Sequence, residues 1–245
     1  MSHTLIVGAT SAMAQAAARI FADQGQALTL AGRSAERLAV LADDARTRGA
    51  AAVRVLPYDA TVDGAEALDR LLDDDDLPPV DAALVAFGDL PDPEQAATDP
   101  AYAMRSFSLN ATATLALAIV LGRRFRKQGR GTLAVVTSVA GDRGRASNFV
   151  YGASKAAVQT ALEGLRQRLF KHGVAVVDIR PGFVDTPMTA HLPKNPLYAS
   201  PDAVGAGIVR AMERRKSIVY LPFFWRPIMG IIRRIPRPLF NRISL

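Results

Sequence analysis

The sequence contains no cysteine and only three histidines among its 245 residues. A disulfide framework, a thiolate zinc site and a cysteine nucleophile are therefore excluded, and we expect a reducing compartment and no metal site. Aromatic residues make up only 7% of the chain, against 49% hydrophobic and 22% charged residues. This balance excludes a disordered, collagen-like or coiled-coil chain and favours one globular domain.

Long hydrophobic runs are also missing. The longest apolar stretch near the C-terminus runs from Ile218 to Ile232 and is interrupted by Pro222, Arg226 and Pro227, whereas a transmembrane helix needs roughly 20 mostly apolar residues. The N-terminus lacks the cationic stretch of a secretory signal. We therefore expect a cytoplasmic protein without a spanning segment.

Acidic residues are scarce at the C-terminal end. Residues 201–245 contain nine basic residues and only two acidic ones, whereas the 21 basic and 21 acidic residues of positions 1–200 cancel. The formal net charge of +7 therefore comes entirely from the last segment. No basic stripe with interleaved aromatic residues is present, so we expect no nucleic-acid partner. The charge favours an anionic membrane surface or a phosphate-bearing substrate.

Apolar segments alternate with helical patterns along the whole chain. We predict strands at Thr4–Val7, Ala27–Ala31, Val53–Pro57, Ala82–Val85, Thr132–Ser138, Val174–Ile179 and Ile218–Leu221. We predict helices at Ser11–Gln24, Ser34–Arg48, Thr61–Leu72, Tyr102–Gln128, Tyr151–Lys171 and Ala203–Arg214. Continuously apolar strands between helices are typical of a parallel sheet that is covered on both faces. The predicted fold class is α/β, a single doubly wound Rossmann domain with a mainly parallel seven-stranded sheet.

The turn after the first strand consists of small residues, Gly8-Ala9-Thr10-Ser11-Ala12-Met13-Ala14. A dinucleotide-binding fold needs small residues there, so that backbone amides can approach the pyrophosphate at the helix N-terminus. Alanines stand at two positions of the usual glycine fingerprint. The candidate cofactor-binding residues of this turn are Gly8, Thr10, Ser11, Ala12 and Met13.

The second strand ends in Gly32-Arg33, where an NAD-type enzyme usually has a carboxylate for the ribose 2′-hydroxyl. Arg33 can instead meet a 2′-phosphate through charge-assisted hydrogen bonds. This pattern favours NADP(H), with NAD(H) and a simple surface role for Arg33 as the alternatives.

A tyrosine and a lysine stand four residues apart in Tyr151-Gly152-Ala153-Ser154-Lys155, so both side chains project from one face of a predicted helix. Tyrosine has an unperturbed pKa of about 10, too high for efficient proton exchange at neutral pH. We expect Lys155 and a cationic oxidised nicotinamide to lower the pKa of Tyr151. Ser138 ends the preceding strand and can hydrogen-bond the reacting oxygen.

With these motifs, the chain resembles the short-chain dehydrogenase/reductase family over essentially its full length. The resemblance implies NAD(P)H-dependent reduction of a ketone to a secondary alcohol. It implies Tyr151 as general acid, Ser138 as its partner at the carbonyl and Lys155 on the nicotinamide ribose. Asn110, in Ser108-Leu109-Asn110-Ala111, would complete the proton relay.

The same resemblance implies further cofactor contacts. Asp59 is similar to the aspartate that contacts the adenine, and Val85-Ala86-Phe87-Gly88 stands where the family has Asn-Asn-Ala-Gly. Residues 181–186 resemble the segment that holds the carboxamide. The implied cofactor-binding residues are Asp59, Ala60, Ala86, Phe87, Gly88, Tyr151, Lys155, Pro181, Gly182, Val184 and Thr186.

A narrower resemblance points to the decaprenylphosphoryl-2-keto-pentose reductases, which reduce a ketone on a polyprenyl-phosphate sugar. The motifs that carry it are Asn148-Phe149-Val150-Tyr151-Gly152, Val85-Ala86-Phe87-Gly88, Thr189-Ala190-His191-Leu192 and Arg234-Ile235-Pro236-Arg237. His191 either lines the substrate mouth or is an ordinary loop residue.

The basic C-terminal end predicts an extension, residues 223–245, beyond a catalytic domain of residues 1–222. From Pro227, helical spacing places Ile228, Ile231, Ile232 and Ile235 on one side and Arg233 and Arg234 on the other. This is typical of a basic amphipathic helix that lies in a membrane interface. The apolar side could equally pack against the sheet or a second subunit.

Three functions remain open from the sequence. The first is an NADPH-dependent reductase of a lipid-linked ketone, peripheral on the inner face of a membrane. The second is a soluble reductase of 3-oxoacyl thioesters or small ketones. The third is a catalytically silent NADP-binding protein. For the enzyme we expect a homodimer or homotetramer.

Overall fold

The computed structural model describes residues 2–73 and 78–243 and is built around one parallel sheet. The seven strands lie in the order β3-β2-β1-β4-β5-β6-β7. They are β1 (His3–Val7), β2 (Ala27–Gly32), β3 (Ala52–Pro57), β4 (Ala82–Val85), β5 (Gly131–Val136), β6 (Val174–Pro181) and β7 (Ile218–Leu221). All six neighbouring pairs are parallel, which confirms the predicted doubly wound α/β fold.

Helices cover both faces of this sheet. They are α1 (Ala12–Asp23), α2 (Ala35–Thr47), α3 (Ala65–Asp73), α4 (Pro93–Thr98), α5 (Pro100–Phe107), α6 (Thr114–Gln128), α7 (Phe149–Phe170), α8 (Pro201–Glu213), α9 (Trp225–Arg234) and α10 (Arg237–Phe240). Helices α1, α2 and α8 share one hydrophobic core with the sheet, and α3, α6 and α7 share the other. Strands β1 and β2 are buried along their whole length because they meet helices on both sides.

The order of the strands determines where a ligand can bind. Strand β1 pairs with β2 on one side and with β4 on the other, so the chain order reverses at β1. In such sheets ligands bind beyond the carboxyl ends of the strands at this switch point. The turn that begins at Gly8 lies there, beside the residues that follow β4 and β5.

The predicted single helix Tyr102–Gln128 is wrong in two details. The helical run begins at Pro100, because the Asp99 carboxylate accepts hydrogen bonds from the first amides, and it contains a π-helical turn at Ser108–Ala113. The sequence also gave no prediction of α4. By length and composition alone the run Pro100–Gln128 could cross a membrane, but it packs against α3, α7 and β5 as a helix of the domain.

The C-terminal segment is attached to the domain. Trp225 and Met229 are 4% and 1% exposed and share a small core with Val139 and Phe183. The helix starts at Trp225 rather than at the predicted Pro227. The residues of its predicted apolar side lie in two environments. Ile228 and Ile232 pack on this core, whereas Ile231 remains 68% exposed to solvent.

One arginine of the domain further fixes this segment. Arg143 donates hydrogen bonds to the carbonyl oxygens of Ile232 and Ile235, the latter at 2.8 Å. Its guanidinium also lies 3.6 Å from the centre of the Phe240 ring. The amphipathic helix therefore has one face on its own domain and one face in solvent.

Candidate active site

A cavity of about 570 Å³ lies at the carboxyl edge of the sheet. It brings together every residue that the sequence names for cofactor binding: Gly8, Thr10, Ser11, Ala12, Met13, Arg33, Asp59, Ala60, Ala86, Phe87, Gly88, Tyr151, Lys155, Pro181, Gly182, Val184 and Thr186. Ser138 lines it as well. Residues that are up to 178 positions apart in the chain thus share one cavity, because parallel strands end at the same edge of the sheet.

The N-terminus of α1 forms one wall of the cavity. Gly8 has a φ of +81°, and a Cβ there would lie 2.7 Å from the amide nitrogen of Phe87, so the turn requires glycine. Ser11 occupies the N-cap position but makes no capping hydrogen bond with its side chain. The first-turn amides of α1, at Ala12 and Met13, therefore have no side-chain cap and suit an anionic group.

The far end of the cavity is basic. Arg33 and Arg37 line it beside Gly32, and no salt bridge within the described ranges involves either arginine. Asp59 also lines this end. Its carboxylate accepts hydrogen bonds from the backbone and hydroxyl of Thr61 at 2.9 and 2.7 Å, and these bonds lower the pKa of Asp59. With two arginines and one aspartate, this end of the cavity carries a net positive charge, which suits a phosphate group.

The candidate catalytic side chains meet near the middle of the cavity. Tyr151 and Lys155 lie one turn apart on α7, with the Lys155 Nζ atom 5.5 Å from the centre of the Tyr151 ring. Ser138 caps the turn after β5, where its Oγ accepts a hydrogen bond of 3.1 Å from the amide of Ala140. Ser138 also lies close enough to Tyr151 to lower the pKa of its hydroxyl. Three residues from two elements thus present two hydroxyls and one ammonium to the same space.

Asn110 lies behind this group rather than in the cavity wall. It is buried in the π-helical turn, where its Nδ2 atom donates to the backbone oxygen of Asp89 at 3.1 Å and also to the Asp89 carboxylate. A Cβ at Gly88 would lie 2.5 Å from Asn110 Oδ1 and 3.3 Å from Lys155 Nζ. Asn110 and Lys155 both lie against the backbone of Gly88, so the π-helical turn brings the asparagine next to the candidate catalytic side chains.

Burial controls the protonation of the two titrating groups. Burial raises the pKa of Tyr151 to about 12, although the nearby Ser138 hydroxyl lowers it. Burial also lowers the pKa of Lys155 to about 8, against the opposing charge of Asp89. The expected lowering of the tyrosine pKa by Lys155 is wrong for the cavity by itself, because burial raises the pKa and the cation that lowers it is Arg145. Tyr151 is a protonated phenol at neutral pH, which is the form that an acid requires.

Comparisons with known proteins assign the chain to a family. The family model described as short chain dehydrogenase matches residues 2–197. The chain belongs to the short-chain dehydrogenase family. An uncharacterized oxidoreductase of Mycobacterium tuberculosis is 36% identical over 221 residues, 89% of this chain and 88% of the relative. An uncharacterized oxidoreductase of Streptomyces coelicolor is 35% identical over 246 residues, 98% of this chain and 94% of the relative.

Solved structures share the fold of this short-chain dehydrogenase. A short-chain dehydrogenase from Sphingobium yanoikuyae, determined in complex with NADPH, superposes with a TM-score of 0.80. It is 24% identical, and the superposition covers 97% of each chain. At this identity the likeness concerns the fold.

The structure adds polar residues to the site of this short-chain dehydrogenase that sequence reasoning missed. Asp89, Arg145 and Asn148 line the cavity. Asp89 and Arg145 belong to no motif that could have identified them, whereas Asn148 begins the motif that contains Tyr151, but the sequence assigns it no role. His191, by contrast, is exposed and does not line the cavity, while the adjacent Leu192 does. The placement of His191 therefore fits an ordinary loop residue.

A buried ionic network lies behind Ser138. Arg180 of β6 donates to the carboxylates of Asp178 and Asp142 at 2.7 and 2.9 Å. The side chains of Arg180, Asp142 and Asp178 are only 11%, 0% and 1% exposed. The hydroxyl of Thr137, next to Ser138, donates to Asp178 at 2.5 Å, so the network connects β6 to the segment that positions Ser138.

Proposed function

We propose that this short-chain dehydrogenase is an NADPH-dependent ketone reductase whose catalytic residues are Ser138, Tyr151 and Lys155, with Asn110 behind them. The observation that carries the proposal is the meeting of these side chains in one cavity with the anion-suited turn at α1 and the basic end at Arg33. A silent binding protein would not need a half-buried phenol with a strongly raised pKa beside a serine and a lysine, an arrangement typical of reactive sites.

In the proposed reduction, side chains of this protein supply the proton that the carbonyl oxygen receives. NADPH, when bound, supplies the hydride that the carbonyl carbon receives. Ser138 donates a hydrogen bond to the carbonyl oxygen, and the Tyr151 hydroxyl gives that oxygen its proton as negative charge develops there. The ammonium of Lys155 then stabilises the Tyr151 phenolate, and it remains charged at neutral pH because its pKa is about 8. Asn110 holds its place beside Lys155 through Asp89.

We expect Arg33→Ala to narrow the preference for NADPH over NADH by about tenfold or more. The reason is the loss of a charge-assisted hydrogen bond to the 2′-phosphate, which contributes roughly 1.5–3 kcal/mol. Steady-state kcat/KM for both cofactors, with any ketone that is turned over, measures the effect. Arg168→Ala, at an exposed position on α7, is the matched control. Equal kcat/KM values for the two cofactors in the parent protein would contradict the cofactor assignment.

For the substrate we propose a ketone on a polyprenyl-phosphate sugar. The apolar part of the cavity supports an amphiphilic substrate, since Leu90, Leu109, Met188 and Leu192 line it. Phe183 also lines the cavity and is in edge contact with Trp225, with ring centres 5.5 Å apart, so the cavity wall continues into the C-terminal segment. A soluble reductase of 3-oxoacyl thioesters or small ketones is the second candidate, favoured by the attachment of that segment to the domain.

The solvent face of the C-terminal segment supports cytoplasmic location at an anionic membrane. Phe223 and Ile231 are 82% and 68% exposed. They stand among exposed arginines: Arg226, Arg233, Arg234, Arg237 and Arg242. No acidic residue follows Glu213. Each arginine near an anionic surface contributes about 1 kcal/mol, so several together can hold the protein there reversibly.

We expect the protein to sediment with phosphatidylglycerol vesicles and to be released by salt, and we expect Arg233→Gln/Arg234→Gln to weaken this binding severalfold. Point variants are the proper test, because removal of residues 223–245 would take Trp225 out of the core it shares with Val139 and Phe183. Arg168→Gln is the charge-matched control. Sedimentation that is the same with phosphatidylcholine alone, or unchanged in the double variant, favours the soluble reductase.

We also propose a homodimer or homotetramer. Exposed apolar side chains on the helical run Pro100–Gln128 and on α7 support it, namely Met104, Ile119, Phe149 and Phe170.

A further inference from the structure

Two polar atoms in the cavity wall are buried without a hydrogen-bond partner among the described residues. They are Arg145 Nε and Asn148 Oδ1. Both residues line the cavity together with Tyr151, and they stand at the two ends of the short turn that precedes α7. Buried polar groups nearly always have partners, because leaving them without one costs free energy. A cavity wall that keeps two such atoms beside the catalytic tyrosine has the form of a site for a ligand that supplies both partners.

The nearby acid Asp142 does not fulfil this role for Arg145. One oxygen of Asp142 accepts a hydrogen bond from Arg180 at 2.9 Å, and the other accepts one from the Tyr220 hydroxyl at 2.6 Å. Asp142 therefore acts on Arg145 through its charge at a distance, while both of its oxygens are occupied by other donors.

The two carboxylates that line the cavity are engaged elsewhere. Asp59 accepts hydrogen bonds from Thr61, and Asp89 accepts them from Ser106 and Asn110. Within the described residues, Arg145 forms no salt bridge with either carboxylate. Burial lowers the pKa of Arg145, while the charges of Asp142 and Tyr151 raise it. A poorly solvated guanidinium without a bound carboxylate attracts an anion strongly.

We propose that Arg145 and Asn148 form a substrate subsite for a hydroxylated ketone that carries an anionic oxygen group, either a phosphate ester or a carboxylate. The guanidinium donates to the anionic oxygens, and Asn148 Oδ1 accepts a hydrogen bond from a substrate hydroxyl. This inference rests on the proposed reduction at Tyr151 and adds the class of ketone that is reduced.

Matched ketones that differ only in the anionic group test the proposal. Dihydroxyacetone phosphate with dihydroxyacetone forms the phosphate arm, and hydroxypyruvate with its methyl ester forms the carboxylate arm. We expect the parent enzyme to prefer the charged member of at least one pair. Arg145→Met should lower kcat/KM for that charged ketone by about ten- to a hundredfold more than it lowers kcat/KM for the neutral partner. Arg145→Lys should recover part of the loss, because it restores the charge without the fork geometry.

Arg168→Met on the exposed face of α7 is the control for loss of an arginine. Equal losses with charged and neutral ketones, or no preference in the parent, would overturn the subsite while leaving ketone reduction in place. If none of the four ketones oxidises NADPH, the proposed reduction is in question for these probes, and inorganic phosphate then tests the subsite. With NADPH saturating the basic end, phosphate should raise the melting temperature of the parent protein and not of Arg145→Met; equal shifts in both would overturn the subsite.

Discussion

Replacing Tyr151 with phenylalanine is expected to lower kcat for ketone reduction by about 10²–10⁴-fold, the usual contribution of one general acid. The substitution removes only the hydroxyl, so the ring keeps its place on α7 beside Lys155. Ser138 remains fixed by the hydrogen bond that it accepts from the amide of Ala140. The carbonyl oxygen would then lack a proton donor while the remainder of the cavity is preserved.

Binding of NADPH separates a chemical effect from a structural one. We expect the dissociation constant for NADPH, followed by its fluorescence, to stay within about threefold of the parent value, since Lys155 and the turn at Gly8 are untouched. Tyr102→Phe removes a hydroxyl that lies outside the cavity, where it accepts a hydrogen bond from the amide of Asp92, and should leave kcat unchanged. Near-normal reduction by the Tyr151→Phe variant would refute the assignment of Tyr151 as the acid.

Replacing Arg180 with methionine is expected to lower the free energy of unfolding by about 3–5 kcal/mol, as found when one partner of a buried ion pair is removed. The variant would leave the carboxylates of Asp142 and Asp178 in the interior with 0% and 1% exposure and without their cation. Asp142 would keep only the Tyr220 hydroxyl as donor, and Asp178 would keep Thr137. Two uncompensated buried charges are costly to hold in a folded protein.

Urea unfolding followed by circular dichroism measures this loss. Tyr220→Phe gives a graded comparison, because it removes one hydrogen bond to Asp142 and should cost about 1 kcal/mol. Arg168→Met, at an exposed position on α7, should change the unfolding free energy by less than about 0.5 kcal/mol. A loss below about 1 kcal/mol for Arg180→Met would mean that water or rearrangement solvates both carboxylates, and the network would not have the proposed structural role.

Much of the fold could be predicted because its signals are local. Each strand is mainly apolar and lies between helical patterns, and parallel pairing follows from the helices between the strands. Tyr151 and Lys155 were predictable together because helical geometry alone places residues four apart on one face. The run Pro100–Gln128 was harder, since neither its start at the Asp99 cap nor the π-helical turn disturbs the apolar pattern.

The amphipathic pattern at the C-terminus shows the limit of periodicity. Spacing located the apolar residues correctly, yet only packing decides that Trp225 and Met229 meet Val139 and Phe183 while Ile231 faces solvent. A helix has the same apolar stripe whether its partner is its own domain or a lipid surface. Here one part of the apolar stripe packs on the domain, and the other part is exposed to solvent.

Spacing along the chain was enough to predict the α/β architecture, the family and the pairing of Tyr151 with Lys155 on α7. Only the tertiary structure decided that Asn110 lies beside Lys155 across Gly88, that Arg180 joins two buried carboxylates and that Arg145 Nε has no partner in the described cavity wall. Those relations join residues from separate elements, and their energies depend on distance and on the loss of solvent. Neither the distances between these residues nor their burial is defined until the chain has folded.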